Sequence, residues 1–106
     1  MDNKILQQIA TLRSLLEEME HEFGMRDLSR NERDILLAMA QEQKARGDSS
    51  DMCSTEAVRE NSITKELSQP TFHRTLKQLV KRGLVEPCEG FPKGLYRLTN
   101  SADGYL

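Results

Sequence analysis

Two features are scarce in this chain, and a third is missing from one stretch of it. Cysteine occurs twice, and Cys53 and Cys88 stand 35 residues apart. That pair fits no metal spacing of the C-x2-C kind. Free thiols in a reducing compartment are expected, with a redox switch as the alternative. Long hydrophobic runs are also missing, since no stretch approaches the roughly 18 apolar residues of a membrane span. The polar, acidic N-terminus lacks a signal-peptide pattern. Together these absences predict a cytoplasmic protein without a membrane partner. There is no G-x-S-x-G, P-loop or H-E-x-x-H signature, and no Cys–His pair close in sequence. His21 and His73 have no companion ligands, so neither a metal nor another cofactor is implied. At 106 residues the chain is one domain with at most an appended element, and the reading points away from an enzyme.

The third absence is acid. Between Ser68 and Val85 there is no aspartate or glutamate, yet Arg74, Lys77, Lys81 and Arg82 gather there. The chain as a whole carries a net charge of -2. Residues 1–60 hold 13 acids and 8 bases, a net of -5, and residues 61–106 hold 4 acids and 7 bases, a net of +3. Charge asymmetry of this kind is a recognised sign of nucleic-acid binding.

The first 25 residues form a candidate dimerisation helix. Ile5, Ile9, Leu12, Leu16, Met19 and Phe23 recur at steps of 4, 3, 4, 3 and 4, a heptad a/d seam. Leu6 and Leu15 widen the stripe, and Gly24 supplies a stop. A lone helix of this length is marginal in water. The stripe therefore packs either on its own domain or on the same helix of a second chain, and the regular 3.5-residue spacing favours the second.

Residues 28–99 read as a compact unit. Ser29 and Glu32 make a capping box, and Ile35, Leu36 and Met39 form the buried side of the helix that follows, with Leu37 and Ala40 beside it. Ser54 can cap a short helix with Ala57 and Val58 inward, and Ile63 and Leu67 point back to the core. Ser68 caps a helix running to Arg82, with Pro70 in its first turn. Gly83 closes that helix in the left-handed region. A two-stranded hairpin over residues 84–99 follows, turning at Glu89 to Gly94. Residues 100–106 are a short tail. The fold class expected is mainly α with a small β-hairpin (α+β), in the order of a winged helix-turn-helix.

Within that order, Leu28-Ser29, Glu32, Leu36 and Met39, then Ser68, Pro70-Thr71-Phe72, Arg74, Leu76, Leu79 and Gly83-Leu84-Val85, and finally Tyr96, Leu98 and Thr99 resemble the MarR-type winged-helix transcriptional regulators. The resemblance spans roughly residues 28–99. It implies a homodimeric transcriptional regulator on double-stranded DNA, more often a repressor, and leaves any small-molecule effector open.

At about 100° per residue, Leu76 and Leu79 fall within about 40° of Phe72, whereas Lys77, Lys81 and Arg74 fall at about 140°, 180° and 200°. A merely solvated face usually mixes signs in i, i+4 pairs; this one does not. The candidate base-reading side chains are those early in the helix: Gln69, Thr71, His73 and Arg74. Lys77 and Lys81 are candidates for phosphate contact, as are Lys65, Lys93 and Arg97 outside the helix. His73 has two plainer roles, as a neutral surface residue or as a cap on the neighbouring short helix. The rival reading is a winged-helix protein–protein adaptor that has lost DNA binding. Such an adaptor would tend to show apolar or mixed-sign residues on this face.

Overall fold

A computed structural model describes residues 2–22, 27–46, 52–90 and 94–99. Within these, the elements run α1 (Asn3–Glu22), α2 (Arg30–Arg46), β1 (Cys53–Ser54), α3 (Thr55–Glu60), α4 (Gln69–Lys81), β2 (Val85–Pro87) and β3 (Leu95–Leu98). The protein is mainly helical with a small antiparallel sheet, an α+β arrangement. No helix among the described residues is long and apolar enough to cross a membrane.

The capping box forms in full. Ser29 N–H donates to Glu32 Oε1 at 2.9 Å, and Glu32 N–H donates to Ser29 Oγ at 3.1 Å. Glu32 is buried, and its other oxygen lies 3.5 Å from Arg82 Nε. One side chain therefore both starts α2 and ties it to the end of α4. Removing it orphans a backbone donor and leaves Arg82 with only its exposed bridge to Asp27 at 3.1 Å. Glu32→Ala is expected to cost about 1–3 kcal/mol in urea unfolding, and Glu32→Gln to retain the capping part of that.

Ile35, Leu36, Ala38 and Met39 supply α2's share of the core. Ile35, Leu36 and Met39 are buried with Leu37 and Ala40 half-buried beside them, as expected, and Ala38 is a further fully buried residue. Helix geometry accounts for this: Ala38 falls within about 60° of Ile35, and Leu37 about 160° away. From α4 come Phe72, Leu76 and Leu79, joined by Thr75, whose hydroxyl is satisfied by Thr71 O at 2.8 Å. Leu84, Val85, Val58 and Leu28 close the cluster, and Ile63, Leu67, Val80, Tyr96 and Leu98 pack at its edge.

The end of α4 follows from a glycine. Gly83 sits at φ 79°, where a side chain would be strained. Its N–H reaches Val80 O at 3.0 Å, and Leu84 N–H reaches Leu79 O at 3.0 Å, the paired bonds of a Schellman end. Leu84's N–H is thus committed to the helix, and the strand starts one residue later than expected, at Val85. The sheet also has a third strand. β1 pairs with β3 through Cys53↔Tyr96 and Ser54↔Leu95, and β3 pairs with β2 through Val85↔Leu98, Glu86↔Arg97 and Pro87↔Tyr96. The order is β1-β3-β2 rather than a two-stranded hairpin. Ser54 ends β1 and caps α3, accepting from Ala57 N–H at 3.1 Å. Such a two-residue strand has too few positions for alternation to be visible in sequence.

Helix α1 stands apart from this core. None of its residues is buried. It is joined to α2 by Arg33 Nη1 donating to Glu20 Oε2 at 2.7 Å. Asp34 beside it is pushed above its ordinary value of 3.8 by burial, against the pull of Arg30 and Arg33. The molecule measures 51 × 30 × 27 Å, as a compact body with a protruding helix should.

Candidate nucleic-acid interface

The site is built on α4, and α4 is presented by the turn before it. α3 ends at Asn61, whose side chain does three jobs. Oδ1 accepts from Ile63 N–H at 2.9 Å, while Nδ2 donates to Gln41 Oε1 at 3.1 Å and Glu42 Oε2 at 3.0 Å on α2. Thr64, buried to 1% exposure, gives its hydroxyl proton to Val58 O. These bonds fix the turn between α3 and α4 against α2, and Ile63 and Leu67 seal it from below. The start of α4 is then set by Ser68 Oγ, which accepts from Thr71 N–H at 3.3 Å.

On that helix the outward face is polar apart from the exposed Pro70 in its first turn. Arg74, Lys77 and Lys81 are exposed and form one strip opposite Phe72, Leu76 and Leu79. Gln69 and His73 are exposed on one flank; the His73 ring stands edge-on to Phe72, with centroids 5.4 Å apart. On the other flank Thr71 is half-buried within a short polar chain. Ser68 Oγ donates to Thr71 Oγ1 at 2.9 Å, and Arg74 Nη2 approaches the same oxygen at 3.4 Å. Gln78 is exposed about 40° from Arg74. It was not among the expected contacts, although an amide one turn beyond Arg74 has the donor and acceptor needed for adenine. Its helical angle is the sequence signal for it; the residue is uncharged and lies beyond the first turns, so neither charge nor position at the helix start marks it.

The bases divide into two groups. Arg82 is engaged by Asp27 and Glu32, and Arg97 by Glu86, its Nε 2.6 Å from Oε1 directly across the hairpin. Arg97 was expected to meet phosphate; in the folded protein its charge is answered within the sheet. Arg74, Lys77 and Lys81 make no ion pair among the described residues. Lys65 is exposed in the turn preceding α4. Lys93 lies outside the described residues, as does Phe23 of the α1 seam. The rest of that seam, Ile5, Ile9, Leu12, Leu16 and Met19, is exposed together with Leu6 and Leu15, so it does not pack on the domain.

Cys53 and Cys88 are buried thiols. Cys53 belongs to β1 and Cys88 follows β2, with β3 between them. Two strand spacings are about 9–10 Å, beyond disulfide reach without backbone movement. Among the described residues no group of three or more His, Cys, Asp or Glu could hold a metal ion. No protein-family model, no curated protein and no solved structure matches this chain.

Proposed function

We propose that the chain is a winged helix-turn-helix regulator of transcription, of the MarR-like kind, that binds double-stranded DNA as a homodimer in the cytoplasm and is not an enzyme. In this reading α4 enters the major groove and the β2–β3 hairpin is the wing. Gln69, Thr71, His73 and Arg74 meet base edges, with Gln78 added to them. Lys77, Lys81 and Lys65 meet phosphates.

The observation that carries the reading is the selective pairing of charge around α4. Arg82 and Arg97 are answered by carboxylates, while Arg74, Lys77 and Lys81 line one exposed face that offers them none. Unpaired bases elsewhere sit among acids of their own segment, as Arg59 does between Glu56 and Glu60. A strip of one sign carries a small self-repulsion that a polyanion relieves. An adaptor surface would more naturally be apolar or of mixed sign.

The test is binding to random-sequence duplex DNA across a salt series, with the wild type beside a triple variant, Arg74→Ala, Lys77→Ala and Lys81→Ala. A steep fall of log K with log salt is expected, flattened in the variant by about 0.9 for each phosphate contact removed. No binding at low salt would overturn the reading and make the strip a docking surface for an acidic protein.

A further inference from the structure

We infer that α1 pairs with α1 of a second copy of this chain in antiparallel register. The inference rests on the proposed homodimer and adds its direction. Seven large apolar side chains of α1, from Ile5 to Met19, are 44–60% exposed. They form one strip along a helix about 30 Å long, more apolar surface than monomers usually leave in water. The 3.5-residue repeat of the seam suits a helix of the same kind.

Charge decides the direction. Residues 2–16 hold Asp2, Lys4 and Arg13, a net of +1, and residues 17–22 hold Glu17, Glu18, Glu20 and Glu22, a net of -4. Parallel pairing would crowd both acidic ends together. Antiparallel pairing lays each acidic end against the basic start of the other helix. Setting Leu12 against the partner's Leu16, and Ile9 against the partner's Met19, fills the four central a/d layers and leaves Ile5 at the level of position 23 in the sequence. The same register brings Lys4 within about 3 Å, along the axis, of the level of the partner's Glu22, and Arg13 equally near the level of the partner's Glu17. Both pairs fall on matching flanks of the heptad, Lys4 and Glu22 on one side of the seam, Arg13 and Glu17 on the other. The parallel alternative sets Gln8 against the partner's Arg13 and Leu15 against the partner's Glu20, which pairs no opposite charges.

The direction has a consequence for DNA. In the antiparallel register the two α1 ends that lead into the domains lie about 24 Å apart along the arm. In a parallel pair they lie side by side at about 8–10 Å. Half-sites in successive major grooves are about 34 Å apart, which the antiparallel arm approaches before the width of the domains is added.

Two single-cysteine additions test the direction, Ile9→Cys and Met19→Cys, each exposed and outside the core. Each variant alone, and the two mixed, would be treated with a short bis-maleimide, with the wild type as the control for Cys53 and Cys88. Antiparallel pairing predicts covalent dimers in the mixture and few in either variant alone, because like positions lie about 15 Å apart along the axis. Efficient cross-linking of each variant by itself would establish a parallel pair, overturning the direction and leaving the homodimer intact. Dimers by sedimentation that cross-link in neither case would place the interface elsewhere and overturn the inference. Monomers throughout would remove the homodimer from the proposed function as well, while the salt series on α4 would still report DNA binding by a single chain.

Discussion

Replacing Leu12 and Leu16 together by glutamate is expected to yield monomers. In the proposed pair each of these leucines faces the other type on the partner, so the double change buries four carboxylates in two adjacent layers. An unpaired buried charge costs several kcal/mol, and a two-helix seam of this length has no reserve of that size. The domain itself should not notice. Both side chains are more than half exposed in the single chain, at 60% and 57%, and exposed substitutions of this kind stay within about 0.5 kcal/mol. The expected result is therefore a halved mass in sedimentation equilibrium with an unshifted thermal midpoint. Helicity should fall as well, because a 20-residue helix with nothing covering its apolar face is marginal in water. Affinity for a two-half-site duplex should drop by roughly 10²–10⁴-fold as the second half-site ceases to be intramolecular. An unchanged mass would show that α1 is not the pairing element. A monomer that kept its affinity would show that one chain suffices.

The α1 seam is a periodic feature of the sequence itself. Local signals survived into the structure wherever the physics is local. Ser29 and Glu32 exchange both capping bonds, Ser54 and Ser68 cap α3 and α4, and Gly83 takes the left-handed turn at the end of α4. The buried face of α4 followed from a 3.6-residue period. What stayed hidden depends on distant partners. Arg82 and Arg74 are equivalent in sequence, both bases in an acid-free stretch. Only the fold brings Asp27 to Arg82 from 55 residues away and leaves Arg74 unmatched. Arg97 reads as an outward base on a strand until the hairpin register sets Glu86 opposite it. β1 was invisible because its two residues gain their conformation from Tyr96 and Leu95 rather than from a pattern of their own. The candidate site was thus legible in its helix and in the sign of its charge. The choice of which bases remain unpaired was settled by tertiary packing.

That choice leads to the second large effect, a division of labour along α4. On a duplex selected from a random library, Arg74→Ala is expected to cost about 1–3 kcal/mol and to relax preference at one base pair. Arg74 lies in the first half of the helix, its guanidinium beside Thr71 and free of carboxylates. From there it can reach two acceptors of a guanine with its planar fork, a geometry that lysine lacks. Lys81 is the last residue of α4, about 10 Å further along the axis. It sits next to Arg82, whose charge is held by Asp27 and Glu32. A cation at the far end of a helix whose start enters the groove meets backbone. Lys81→Ala should weaken the selected and the random duplex alike and lower the salt slope by about one unit. The measurement is a matrix of two variants, two duplexes and several salt concentrations. If Arg74→Ala lost the same factor on both duplexes, Arg74 would be a phosphate contact and base reading would pass to the flanks, to Gln69 and His73 or to Thr71 and Gln78. If Lys81→Ala lost affinity on the selected duplex alone, the helix would lie in the groove along its whole length, with its C-terminal end also at base edges.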